Sequence, residues 1–327
     1  VDKKVVAELK KKPGVVSVGR GFKVVDGVRT DEVAIVVGVK KKLPAAQLAA
    51  RDIIPQAIDG QATDVIEVGD IKALVDPPSH TGRYRPAPAG VSIGHHLITA
   101  GTLGCYVKRS GVLYVLSNCH VLANSGDAVT GDVILQPGPH DSGTVEMDSF
   151  AKLSGYIPIN FVGMPSKCPV SRAIATALNA ILALFGRATR FAVEVNLTNS
   201  VDCAIARPDR TEDIDESILE AGPITEEVVE PQLGMKVLKS GRTTGFTHGE
   251  ITQVDVTINV SYGEKGMAIF ENQFIAEGDN ICAGGDSGSL VFTTDGKRVG
   301  LLFAGDQASK LLIANRYQSV KVALGLD

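Results

Sequence analysis

Tryptophan is absent from this chain, and aromatic residues make up only 5% of it. That shortage does not preclude large cores, because 44% of the 327 residues are hydrophobic and a chain of this length suggests about two domains. Cysteine is scarce too: Cys105, Cys119, Cys168, Cys203 and Cys282 are odd in number and contain no short-spaced pair. The pattern argues against a zinc site and against a full disulfide framework. Neither sign of charge is in excess. A net charge of −4 with a pI near 5.9 gives no electrostatic case for binding nucleic acid or an anionic membrane. Long apolar runs are missing, so no segment spans a bilayer as a helix, and no secretory h-region opens the chain. A reducing, cytoplasmic location is the expectation. Secretion stays open, because the sequence starts at Val1 without Met and an upstream segment could have been removed. The run Gly19-Arg20-Gly21-Phe22 lacks the Gly-Lys-Ser/Thr ending of a phosphate loop and is flanked by strand-like sequence, so no cofactor is expected.

What the chain has in quantity is glycine, 35 residues of it, together with many valine-rich runs, which favours a β-rich protein with tight turns. One glycine cluster is unusually informative. Gly284-Gly285-Asp286-Ser287-Gly288-Ser289 leads straight into Leu290-Val291-Phe292, so a serine sits where a tight loop becomes an apolar strand. Such a loop can present a hydroxyl and aim N–H groups at one point, as a nucleophile and an oxyanion hole require. Among six histidines only His120 is well placed to act as a base, delivered by Tyr114-Val115-Leu116-Ser117-Asn118-Cys119 to the start of a loop. Asp202, flanked by Val201 and Cys203-Ala204-Ile205-Ala206, is the candidate carboxylate, since an acid in apolar surroundings needs a partner for its burial. Asp127, Asp132, Asp141 and Asp148 lie in turn-rich stretches and read as solvated loop acids.

The order His120, Asp202, Ser287 resembles that of chymotrypsin-like serine peptidases. Lys239-Ser240-Gly241-Arg242-Thr243-Thr244-Gly245 is similar to the segment that opens the second barrel in bacterial streptogrisin and alpha-lytic type peptidases. Ala283-Gly284-Gly285-Asp286-Ser287-Gly288 matches their nucleophile loop. The pattern also resembles bacterial trypsin-like peptidases related to the plant narrow-leaf family. The likeness spans about residues 88 to 327 and departs from the pattern in places. Leu238 and His248 stand where secreted relatives carry cysteines, and Ser289 replaces the second glycine after the nucleophile.

The resemblance implies a mainly β protein of two six-stranded antiparallel barrels, with a small α+β sandwich module ahead of them and a helical insertion. The expected domains are residues 1–78 with the linker, 79–208 as the first barrel carrying an insertion at about 139–195, and 209–327 as the second barrel. The wide spacing of His120 and Asp202 is what requires the insertion. In it, Val170 to Phe185 reads as a helix stopped by Gly186, with a broad apolar face expected to pack on its own barrel, a subunit contact or substrate gate being the alternative. Ahead of the barrels the pattern is α-β-β-α-β: a helix around Val5 and Leu9, strands Val15 to Val25 and Val28 to Val39 joined by Asp26-Gly27, a helix after Pro44, and a strand at Val65 to Val68. Helices on one face of an antiparallel sheet fit that order. A breaker-rich linker is expected from about Gly69 to Pro88.

The activity implied is that of a serine endopeptidase acting on proteins or peptides through an acyl-enzyme. Ser287 is the nucleophile, His120 the general base and Asp202 the orienting acid, with the backbone N–H groups of Gly285 and Ser287 as the oxyanion hole. The substrate pocket is expected along Ile281 to Gly284, Cys282 included, and along Phe303, Ala304 and Gly305. Asp279 and Asp306 nearby hint at a basic preference, simple surface acids being the alternative, so specificity stays open. Asp286 has no evident amino-terminal partner. A binding or scaffold protein on a faded peptidase fold is the alternative. A homo-oligomer, and a regulatory partner acting through residues 1–78, remain open.

Overall fold

The computed structural model describes residues 1–25, 27–71, 78–165, 168–195, 197–306, 308 and 310–327. The chain divides into two compact units, residues 1–77 and 78–327.

In the first unit a short helix, Lys3–Leu9, is capped by Asp2, whose carboxylate accepts from the Lys4 N–H at 2.7 Å. Its last residue, Leu9, packs with Ile35, Val37 and Val39, which alternate along the strand Val28–Val39. Val15–Val25 and Val28–Val39 pair antiparallel, while Asp26 of the expected turn lies outside the described residues. Two readings are corrected here. The helix after Pro44 is a single 3₁₀ turn, Ala45–Gln47. The strand Gln61–Glu67 runs parallel to Val28–Val39, not antiparallel. The connection between them is long enough for the crossover a parallel pair needs. Residues 72–77 of the expected linker lie outside the described residues.

The second unit contains two rings of strands. One seven-stranded sheet runs Gly101–Thr102, Ser92–His95, Val133–Leu135, Ser149–Tyr156, Ala204–Pro208, Val112–Ser117 and Cys105–Arg109. Its two terminal strands are halves of one run. The Leu103 N–H donates to Val91 and the Gly104 N–H to Leu116, each at 2.9 Å, so the sheet closes on itself as a six-stranded barrel. The other large sheet closes in the same way. Lys236–Gly241, Gly245–Ser261, Met267–Glu277, Leu311–Arg316, Arg298–Asp306 and Leu290–Thr293 form a ring through the pairing of Met267–Glu277 with Leu311–Arg316. Closure removes the exposed edges. Aliphatic residues alternate inward in both rings, so a core without tryptophan suffices.

The insertion is shorter than the expected 139–195, because Ser149–Tyr156 is a barrel strand paired with Val133–Leu135 and Ala204–Pro208. After that strand the chain carries the helix Pro169–Leu184, stopped by Phe185 and Gly186 at φ +65°. Its apolar face is not packed on the barrel: Val170, Ile174, Leu178, Ile181, Leu184 and Phe185 are all exposed. No helix among the described residues is long and apolar enough to cross a membrane.

Candidate active site

His120 lies in a single helical turn, Cys119–Leu122, which follows the strand Val112–Ser117 directly. Asp202 precedes the strand Ala204–Pro208, whose Ala204 pairs with Ser117. That register brings two residues far apart in sequence side by side. Asp202 is fully buried and its carboxylate is densely hydrogen-bonded. Oδ2 accepts from the His120 ring at Nδ1, 2.5 Å away, and from the Tyr262 hydroxyl at 2.8 Å, while Oδ1 accepts from the His120 N–H at 3.2 Å. The Asn118 amide donates to the Asp202 carbonyl at 2.7 Å, and the Asp202 N–H donates to Asn315 Oδ1 at 3.0 Å. Asn315 donates in turn to Gln273. Burial and the neighbouring Asp202 charge push the Tyr262 phenol far above its usual value, so it stays protonated and donates. With Nδ1 engaged, Nε2 is the ring nitrogen left to the cleft.

That cleft, of about 810 Å³, is lined by His120 and Ser287 together, and by Cys282, Ala283, Gly284, Phe303, Ala304 and Gly305. Ile281 is placed differently, in the core of the second barrel, where it is 2% exposed. Apolar residues dominate the inner wall, with Leu302, Leu311 and Ile313 beside Cys282. A Cβ on Gly305 would come within 2.4 Å of Cys282 Sγ, so these two walls already touch. Asp306 borders the cleft, whereas Asp279 is exposed and paired with Lys310.

The loop around Ser287 is held at nearly every carbonyl. Gly284 O accepts from Thr243 Oγ1 at 2.7 Å and Gly285 O from Thr102 Oγ1 at 2.9 Å. Asp286 O accepts from Ser289 Oγ at 2.6 Å and Ser287 O from the Thr102 N–H at 2.8 Å. The N–H groups of Gly285 and Ser287 have no acceptor among the described residues. Gly285, at φ +99°, occupies a conformation that only glycine takes without strain.

Asp286 has a partner after all, and it comes from within the fold. Its carboxylate accepts from the N–H groups of Thr243 (2.8 Å), Thr244 (3.1 Å) and Ala283 (2.9 Å) and from the Thr244 hydroxyl (2.6 Å). The Lys239 ammonium, on a side chain 2% exposed, lies 3.6 Å away. Burial pulls that ammonium below its ordinary pKa, against the opposing pull of Asp286.

Sequence reasoning misplaced several acids. Asp141 is half-buried, with its side chain only 8% exposed, and takes a bidentate grip from Arg242, Nε and Nη2 each 2.6 Å from a carboxylate oxygen. Asp148 is buried against Arg83. Asp132 is partly exposed and pairs with His95, while Asp127 is an exposed loop acid, as expected, beside Lys265. Tyr262, Asn315 and Gln273 carried no motif and went unnoticed. Asn118 was visible only as the neighbour of His120. Lys239 stood in plain view at the head of its glycine-containing segment.

None of the five cysteines forms a disulfide. Burial, with the nearby Asp202 charge, pushes the Cys119 thiol well up, and burial raises Cys282 to about 11. Neither is a ready thiolate. Cys119 shares the helical turn of His120. No cluster of three or more potential metal ligands occurs among the described residues.

Two closed six-stranded antiparallel barrels and a glycine-rich loop leading into a strand of the second define the architecture. The fold is chymotrypsin-like. Solved structures similar to this chain include a glutamic acid specific serine protease that utilizes a novel histidine triad in substrate binding (15% identity, TM-score 0.48, covering 73% of this chain and 98% of that one). Protease A of Thermobifida fusca is similar at 14% identity and TM-score 0.46, over 74% and 98% of the two chains. Nocardiopsis protease is similar at 13% identity and TM-score 0.45, over 73% and 98%. No protein-family model matches the sequence, and no curated protein matches it.

Proposed function

We propose that the protein is a serine endopeptidase in which Ser287 attacks an amide carbonyl. His120 accepts the serine proton through Nε2 and passes it to the leaving amine. Asp202 holds the imidazole in the Nδ1–H tautomer and stabilises the imidazolium. The N–H groups of Gly285 and Ser287 stabilise the oxyanion. One observation carries the reading: a fully buried carboxylate grips Nδ1 of a histidine whose cleft also contains a serine in a glycine loop with two unengaged N–H groups. The raised thiols of Cys119 and Cys282 weigh against a cysteine nucleophile.

The apolar wall and the tight Gly305–Cys282 contact support a preference for small uncharged side chains before the scissile bond. The basic preference suggested by Asp279 and Asp306 loses half its support, because Asp279 is spent on Lys310.

The test is labelling with a fluorophosphonate probe, coupled to cleavage of a peptide library. Wild-type protein should label and cleave, and Ser287→Ala should do neither, with turnover lower by about 10⁶-fold. Absence of labelling in folded wild-type protein would leave the faded-scaffold reading in its place.

A further inference from the structure

We infer that Thr243 is a positioning residue that sets the direction of the Gly284–Gly285 peptide and so keeps the Gly285 N–H available to the cleft. This rests on the peptidase reading for its catalytic consequence, though not for its geometry.

The argument begins with the two glycines. Rotating the peptide between them changes only ψ of Gly284 and φ of Gly285. Glycine tolerates both signs of these angles, so the peptide has two accessible directions. A Cβ on Gly284 would meet nothing within 4 Å, so packing there does not choose between them. Hydrogen bonding does. The Gly284 carbonyl accepts from Thr243 Oγ1 at 2.7 Å, and because C=O and N–H point oppositely in a trans peptide, the Gly285 N–H is turned away from Thr243. Reversing the peptide would break that bond and withdraw the N–H from the position an oxyanion donor needs.

The hydroxyl is itself aimed. Arg242 Nη1 donates to Thr243 Oγ1 at 3.2 Å, which occupies the oxygen as an acceptor and leaves its proton for Gly284. Arg242 is fixed by its two contacts to Asp141, a residue of the 3₁₀ turn Pro139–Asp141 that lies among the first-barrel strands. Its N–H also donates to Thr102 Oγ1 at 3.0 Å, the hydroxyl that holds the next carbonyl, Gly285 O. A chain of hydrogen bonds thus runs from Asp141 in the first barrel through Arg242 and Thr243 to a peptide of the second. Nothing in Lys-Ser-Gly-Arg-Thr-Thr-Gly as a string distinguishes this threonine from its neighbour. Thr244 turns its own hydroxyl to Asp286 instead.

Thr243 is exposed, so changing it leaves the cores intact. The experiment compares Thr243→Val, Thr243→Ser and wild type by steady-state kinetics on a chromogenic peptide and by crystal structures of each. Thr243→Val should lose about tenfold in kcat with KM within about threefold, the population shift that one neutral hydrogen bond supports. Thr243→Ser, which keeps the hydroxyl, should stay within about twofold of wild type by the same reasoning. In crystals of Thr243→Val the Gly284 carbonyl should be reversed or split between two directions. An unchanged kcat together with a single unmoved carbonyl in Thr243→Val overturns the inference. If wild type neither cleaves nor labels but the carbonyl reverses in Thr243→Val, the positioning role stands and the peptidase reading falls.

Discussion

Lys239→Met would remove the cation from a pair in which the lysine side chain is 2% exposed and the Asp286 side chain 0%. Breaking a buried pair by deleting one partner leaves the other charge uncompensated, a penalty of about 3–5 kcal/mol. Methionine preserves most of the chain length, so little of the cost comes from a cavity. Two further contacts go with the ammonium, to the Gly245 carbonyl at 2.9 Å and to the Thr244 hydroxyl. The four hydrogen bonds that Asp286 keeps are directed at the same anion and do not replace its counter-charge. Asp286→Asn in the same background removes the stranded charge, so a double-mutant cycle should give a coupling of at least about 1 kcal/mol. Urea unfolding followed by circular dichroism supplies the energies. Fluorophosphonate labelling of the same samples reports whether the loop next to Ser287 survives. A loss below about 1 kcal/mol for Lys239→Met, the value of an exposed ion pair, would show that neutral hydrogen bonds alone hold Asp286 and would refute the reasoning.

Other expectations follow from individual contacts. Tyr262→Phe deletes a donor from the carboxylate oxygen that His120 uses and leaves the imidazole less firmly oriented, so kcat/KM should fall by about tenfold; an unchanged kcat/KM would count against it. Burial raises the Asp141 carboxyl, but the Arg242 hydrogen bonds outweigh it and the net shift is downward. A carboxyl depressed in the folded state stabilises above its unfolded pKa and loses that contribution as pH falls through the folded value. Asp141→Asn should therefore be less stable than wild type at pH 7, with the gap closing below about pH 4, as unfolding curves at several pH values would reveal. Gly285→Ala forces a side chain onto a φ of +99° with its Cβ 2.5 Å from Arg242 Nη1 and Thr243 Oγ1, so turnover should fall by about 10²-fold or more, measured against near-native thermal stability.

Local chemistry explains what could be read in advance. The strands Val15–Val25 and Val28–Val39 begin and end where valine alternation meets glycine and the lysine run, so their limits were legible. The hairpin around Ser110-Gly111 sets Cys105 opposite Leu116, and a two-residue turn fixes that register by itself. His120 and Asp202 could be chosen because a polar residue inside an apolar run signals burial with a partner. Burial of Asp141 was hidden, since its partner Arg242 comes from a distant segment and no local pattern records the meeting. The parallel pairing of Gln61–Glu67 depends on the path of a long connection, and the exposed face of the Pro169–Leu184 helix depends on what the barrel leaves uncovered. Periodicity reports neither.

On the peptidase reading, the anchoring of Asp202 has a bearing on when the site is first complete. The helix of His120 grips it from one half of the molecule, while Tyr262 and Asn315 reach it from the other. A chain still being synthesised, with residue 315 not yet made, has its acid only partly tethered. On that reading, a copy lacking Leu311–Arg316 would hold its acid by the His120 turn and Tyr262 alone.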